Sequence, residues 1–144
     1  MQQPNLRPRI SNASSKSELR WPFEKLEVWK LAMELIDIVY KLTEKFPKEE
    51  RFGLTDQSRR AVVSIANNIA EGKGMYSTKA LVEYLYRARG SLYETVTCLM
   101  IAEKRNYLTM EERQQATNLA FTLQRKLSGL INSLSKPAGS KSSI

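Results

Sequence analysis

FEKLEVWKLAMELIDIVYKLTEKF, residues 23–46, places Leu26, Trp29, Met33, Ile36 and Tyr40 at steps of three and four, the spacing of one helical face. A second apolar set, Val28, Ala32, Leu35, Val39, Leu42 and Phe46, keeps the same period. Together they form a non-polar arc about 200° wide, against the ~100° that a surface helix needs to face one core. The spacing predicts a helix over 24–46 that is covered on two sides, by its own bundle or by another subunit. Pro47 ends it, because proline disfavours helical geometry in the residue before it. Lys30 with Glu34 and Asp37 with Lys41, each four apart, mark the solvated face.

Three more helices follow. The second is expected from Thr55 or Asp56, either a suitable cap, to about Glu71, with Leu54, Ala61, Val62, Ile65 and Ile69 inward. Gly72 and Gly74 should end it. The third runs from Ser77 or Thr78 to about Asn106, with Leu81, Leu85, Ala88, Leu92, Val96 and Leu99 aligned. Thr109-Met110-Glu111-Glu112 fits a capping box, in which the hydroxyl and the carboxylate satisfy free backbone donors reciprocally. The fourth helix then extends to about Leu134, with Ala116, Leu119, Leu123, Leu127, Leu130 and Leu134 in one stripe. A three-helix alternative would keep Gly72-Lys73-Gly74 helical, at a cost of about 1 kcal/mol per glycine. Short connections make successive helices antiparallel, so the expected fold is an all-α, up-down-up-down four-helix bundle over 23–134. Residues 1–22, rich in Ser, Asn, Pro and Arg, read as a flexible basic arm, and 135–144 as a flexible tail.

Composition limits the chemistry. The 144 residues include no histidine, which removes the commonest general base and the commonest metal ligand. Ferritin-like metal bundles need Glu-x-x-His pairs that cannot exist here. Gly72-Lys73-Gly74 lacks the full spacing and the preceding strand of a phosphate loop. Neither Ser64 nor Ser91 has a lysine base at a helical neighbour, so no enzyme and no cofactor is expected. Cys98 is alone and reads as a small apolar residue in a reducing cytoplasm. No stretch approaches the ~18 apolar residues that span a bilayer, so no membrane association is expected.

Net charge is +8, which favours anionic partners. Segment 23–58 has six basic and eight acidic residues, whereas 59–105 has eight basic and four acidic. The candidate phosphate contacts are therefore Arg59, Arg60, Lys73, Lys79, Arg87, Arg89, Lys104 and Arg105. Beside the apolar face of the second helix runs a polar stripe of Gln57, Arg60, Ser64, Asn68 and Glu71, and the third helix carries Glu83, Arg87, Ser91 and Glu94. These stripes are either solvated surface or a partly buried seam at a helix or subunit interface, with Arg60 or Arg87 paired to Glu71 or Glu94. Gly90, in mid-helix, costs about 1 kcal/mol relative to alanine, which a backbone approaching closely from another helix or another chain would explain.

Phe23-Glu24-Lys25-Leu26-Glu27-Val28-Trp29, Phe52-Gly53-Leu54, Gln57-Ser58-Arg59-Arg60-Ala61, the run Ser64-Ile65-Ala66-Asn67-Asn68-Ile69-Ala70-Glu71-Gly72, and Gly90-Ser91-Leu92-Tyr93-Glu94 carry a resemblance. Together, over about residues 23 to 134, they resemble the four-helix-bundle proteins encoded by 23S rRNA intervening sequences. Ala66 stands where a proline is common, and Arg89 where a small residue is more usual. The resemblance implies a left-handed bundle assembled into a closed ring, commonly a homopentamer. It also implies distant similarity to the accessory variability determinant of diversity-generating retroelements, a basic ring associated with nucleic acid and a reverse transcriptase.

Two functions follow as expectations. One is a non-catalytic homo-oligomer that binds structured RNA or other nucleic acid by charge and shape, since no aromatic base-reading motif stands out. The other is a protein-interaction scaffold with no nucleic-acid role.

Overall fold

Regular structure begins before the first long helix. The computed structural model describes residues 18–137. The expectations for 1–17 of the arm and 138–144 of the tail lie outside the described residues. Pro22–Lys25 form a 3-10 turn, in which the Glu24 carboxylate reaches back to accept from the Arg20 and Trp21 amides at 3.1 and 2.8 Å. Leu26 is extended, with ψ 125°, so helix α1 spans Glu27–Thr43 rather than starting at Glu24. It also ends three residues before the expected Phe46, where the Thr43 hydroxyl donates back to the Val39 carbonyl at 2.8 Å.

Helix α2 spans Leu54–Lys73, preceded by a 3-10 turn over Lys48–Glu50. Neither Thr55 nor Asp56 caps it. Gly53 takes the N-cap position, and Glu50 Oε1 from the preceding turn accepts from the Leu54 amide at 3.0 Å. Gly72 lies inside the helix and Gly74 closes it, so the expected end at Glu71 is one half-turn early. Helix α3, Thr78–Lys104, starts as expected at Ser77, whose hydroxyl accepts from the Ala80 amide at 3.1 Å. It terminates through Asn106 in the left-handed region at φ 64°, a position asparagine tolerates better than most residues. The Tyr107 amide then donates to the Ala102 carbonyl at 2.8 Å. The capping box of helix α4, Met110–Ser135, is formed in both directions, at 3.1 Å from Glu112 N to Thr109 Oγ1 and 2.9 Å from Thr109 N to Glu112 Oε1.

The cross-links define the topology. Arg59, early in α2, bonds to Thr43 at the end of α1. Ser64 meets Ser91 across α2 and α3, Glu103 pairs with Arg113 across α3 and α4, and Glu27 pairs with Lys126 across α1 and α4. Each neighbouring pair is therefore antiparallel. Helix α1 touches α2 and α4, and α3 touches the same two, which makes a four-sided bundle among the described residues. Both connections at one end are joined: Tyr107 donates to Glu50 Oε2 at 2.8 Å, Phe46 packs on Tyr107 with ring centroids 5.6 Å apart, and Lys45 pairs with Glu112.

The core uses the second apolar set of the first helix. Val28, Ala32, Leu35, Val39, Leu42 and Phe46 are buried with Val62, Ile65 and Ile69, Leu85, Leu92 and Leu99, and Leu123 and Leu127. The set containing Trp29, Met33, Ile36 and Tyr40 forms a flank, of which Met33 and Tyr40 are exposed. On α4 the buried line is Ala116, Ala120, Leu123, Leu127 and Ile131, with Leu119, Leu130 and Leu134 half-buried beside it.

Gly72 is buried against α3, so closely that a methyl group there would sit 2.7 Å from Tyr84 Cβ and 3.1 Å from Leu81 Cδ1. Gly72→Ala should cost about 1–3 kcal/mol in urea unfolding despite alanine's better helix propensity, because the two helices must move apart. Glu50 gives a second expectation. Its hydrogen bonds from Leu54 and then Tyr107, with the positive charge of Arg105, hold its carboxyl below the ordinary carboxylate value. A carboxyl lowered on folding stabilises above its unfolded pKa, and that contribution disappears as pH falls through the folded value. Glu50→Gln should therefore lower the Tm at pH 7, and the two melting temperatures should converge in the acid range.

Candidate functional site

The polar seam is shorter than its sequence spacing suggests. Ser64 and Ser91 hydroxyls lie 2.9 Å apart between α2 and α3, and the Asn68 amide donates to Ser64 O at 2.8 Å and Ser64 Oγ at 3.0 Å. These three half-buried residues form the whole of the seam. Gln57, Glu71, Gly90 and Glu94 are exposed. Within the chain, the expected Arg60 or Arg87 pairing with Glu71 or Glu94 is not made. Arg60 faces solvent, with Asp56 one turn earlier at 4.0 Å, and Arg87 lies over the Tyr84 ring at 4.6 Å. The stripe keeps to one side of α2, and of its members only Ser64 hydrogen-bonds across to α3. Apart from its own helix backbone, no atom among the described residues lies within 4 Å of where a methyl group on Gly90 would stand, so no other helix of this bundle requires a glycine there.

The basic candidates divide into two groups. Arg59 is half-buried and spent on α1: its Nε donates to Thr43 Oγ1 at 2.8 Å, Nη2 to the Tyr40 carbonyl at 3.4 Å, and its guanidinium lies 4.6 Å over the Tyr40 ring. Arg89 is spent on α4, donating to Ser128 Oγ at 3.1 Å while its guanidinium lies 4.9 Å from the Tyr86 centroid. Both work as cross-braces between helices. Arg60, Lys73, Lys79, Arg87, Lys104 and Arg105 are exposed. Lys73 and Lys79 flank the α2–α3 turn, Lys104 and Arg105 stand at the other end, and Arg60 and Arg87 lie between. Exposed Asp56, Glu71, Glu83 and Glu94 are interspersed, so this face is basic on balance rather than uniformly so.

Two surface features escaped the sequence reading. An open groove of about 740 Å³ between α3 and α4 is lined by Tyr93, Val96, Met100, Phe121 and Gln124 among others, and Phe121 is 63% exposed. A smaller notch of about 380 Å³ is lined by Arg20, Trp21, Lys25 and Lys73 with Leu19, Pro22 and Leu26. The groove follows from large side chains on the outward flanks of two helices, which a search for core stripes passes over. The notch joins Leu19–Pro22, whose composition reads as an arm, to Lys25, Leu26 and Lys73, and Trp21 was the available signal.

Nucleophilic chemistry finds no activated group at Cys98. Burial pushes its thiol up, the neighbouring Ser58 hydroxyl opposes that, and Glu94 adds to it. A raised thiol holds less of the reactive thiolate at neutral pH. Among the described residues no group of three His, Cys, Asp or Glu side chains is placed to hold a metal ion, and no helix is long and apolar enough to cross a membrane.

Known proteins give the architecture a context. A crystal structure of a protein with unknown function from the S23 ribosomal protein family, from Bacteroides thetaiotaomicron VPI-5482, aligns with a TM-score of 0.67 at 23% identity. The alignment covers 72% of this chain and 97% of that one, and it supports the fold alone. No curated protein matches the chain. The family model of the 23S rRNA-intervening sequence protein matches residues 24–129, most of the helical bundle, and the chain belongs to that family.

Proposed function

We propose that the protein is a non-catalytic homo-oligomer, a closed ring of side-by-side copies, that binds structured RNA through the basic side chains exposed on α2 and α3. The observation that carries this reading is the pair of unlike apolar surfaces on opposite edges of one bundle. Met33 and Tyr40 stand open along the α1 edge beside α2, and Tyr93, Met100 and Phe121 line the groove between α3 and α4. Large exposed apolar side chains gathered in this way mark interaction surfaces. Two unlike surfaces on opposite sides suit a head-to-tail contact, which closes into a ring when the rotation between copies allows.

The glycines agree with this. Gly90 and Gly129 each weaken a long helix by about 1 kcal/mol. Beyond the local helix backbone, no atom among the described residues comes within 4 Å of a methyl group placed at either. A second copy lying close against α3 and α4 supplies a reason for both. Ring formation repeats the six exposed cations around an axis, so contacts that are weak singly act together on one polyanion. A pentamer is the size implied by the family resemblance. The scaffold alternative uses the same groove for a different protein and predicts no response to nucleic acid.

Sedimentation velocity should give a mass several times the 16.5 kDa of one chain. Met33→Glu on one edge and Phe121→Glu on the other should each yield monomers with unchanged helix content by circular dichroism. A wild-type monomer at tens of micromolar overturns the ring. Fluorescence anisotropy with a structured RNA hairpin should show affinity falling by about 10³-fold or more between 50 and 200 mM salt, the response expected for ~6 phosphate contacts. Arg60→Glu with Arg87→Glu should weaken binding and flatten that slope, and binding indifferent to salt counts against phosphate recognition.

A further inference from the structure

The notch where the N-terminal segment meets the end of α2 combines two features that the α2–α3 face lacks together. Arg20, Lys25 and Lys73 bring three cations to one opening, and among the described residues no acidic side chain lines it. The nearby Glu24 carboxylate is already engaged, accepting from the Arg20 and Trp21 amides at 3.1 and 2.8 Å. Those two bonds, with Pro22 at the start of the 3-10 turn, hold the Trp21 backbone in place. The Trp21 ring is nonetheless 62% exposed.

An exposed indole on a held backbone needs a physical account, since leaving an aromatic in water forgoes a large burial gain. Trp21 stacks on Phe23 with the planes 13° apart and centroids 6.4 Å apart, and Phe23 packs on Trp29 at 5.1 Å. The three rings make a short ladder rooted on α1, with Trp21 as its outermost member. Aromatic faces beside a basic groove are the means by which proteins grip single-stranded nucleic acid: cations follow the backbone and rings stack on unpaired bases. A volume of about 380 Å³ lies at the lower end of small-ligand sites, of about 300–1,000 Å³, which suits one nucleotide rather than a duplex.

We infer that this notch binds an unpaired nucleotide of single-stranded nucleic acid, with Trp21 stacking on the base and Arg20, Lys25 and Lys73 contacting the adjoining phosphates. The inference rests on the nucleic-acid reading above and deepens it. The basic face of α2 and α3 holds the folded part of an RNA by charge, and the notch takes a strand that is free to splay a base outward. RNA is read in this way where its bases are unstacked, in loops, bulges and ends.

The test uses the full chain. Trp29→Phe leaves Trp21 as the sole indole, since the sequence has two tryptophans. Adding a 12-nucleotide oligouridine should quench its emission saturably. Trp21→Ala should lower oligouridine affinity by about 10- to 100-fold, the range for loss of one stacked base, and Trp21→Phe should retain most of it. Lys25→Ala should reduce the salt slope by about one unit. Binding of a blunt RNA duplex, measured in parallel, should be unchanged by Trp21→Ala. Oligouridine binding that ignores Trp21→Ala overturns the notch while leaving the basic face intact. Polyglutamate quenching Trp21 as well as oligouridine does shows a general anion site and overturns the base-stacking assignment. Absence of binding to both oligouridine and duplex removes the earlier reading along with this one.

Discussion

How closely α2 can approach α3 governs the rest of the bundle. Small side chains meet between them, Ser64 with Ser91 and Ser58 with Cys98, and Ala61 and Gly72 on α2 and Ala88, Thr95 and Ala102 on α3 are buried as well. At the turn the approach is tightest, with Gly72 against Tyr84 and Leu81. Midway it is sealed by the 2.9 Å contact between two serines, a polar pair short enough to fit where two leucines would force the helices apart. The larger residues Val62, Ile65 and Ile69 of α2 and Leu85, Leu92 and Leu99 of α3 then point to the shared interior, where α1 and α4 complete the core. With α2 and α3 drawn together, α1 and α4 lie on the flanks, and large apolar side chains stay exposed on the outer side of α1 and along the groove between α3 and α4.

That arrangement explains which parts of the fold were readable from sequence. The four helices were readable, because periodicity reports a buried face and because Ser77 and Thr109 carry caps that act within their own turn. Starts set from a distance were not. Glu50 serves the first free amide of α2 from the turn before it, and nothing local to Thr55 or Asp56 reveals that. Nor could the wide arc of the first helix say which of its two stripes faces inward, since both keep the same period and only the neighbouring helices decide. Glycine shows the same limit. Spacing marked Gly72 as a helix end, whereas it is packed inside α2 against α3, and no other helix of the bundle makes the close approach expected at Gly90.

The candidate site was readable only as composition. Counting charges in 59–105 located a basic stretch, but a guanidinium on a long apolar stem can turn either way. Arg59 and Arg89 turn inward to brace α1 and α4, each over a tyrosine ring. Sequence spacing cannot make that distinction, because it depends on what the adjacent helix offers: Thr43 and Tyr40 for one, Ser128 for the other. The loss is partly made good elsewhere. Arg20 and Lys25 join Lys73 only because the 3-10 turn folds the N-terminal segment back toward the end of α2, a contact between residues some fifty positions apart.

Symmetry adds a constraint on assembly that single-chain packing leaves open. A two-fold dimer places like surface against like, so it would cover either the α1 edge or the α3–α4 groove and leave the other in water. Covering both requires each copy to present its α1 edge to the groove of the next. The exposed groups are suited to that: Met33 and Tyr40 project from a single helix, whereas Tyr93, Met100 and Phe121 border a depression between two. A ridge entering a groove buries more apolar area than two ridges or two grooves brought face to face. In the proposed ring such a contact would also fix direction, aligning the Lys73 ends of all copies on one rim and the Lys104 ends on the other. A polyanion meeting such a ring would then find each set of cations repeated at regular intervals in the same orientation, which is the geometry in which shallow, individually weak phosphate contacts accumulate.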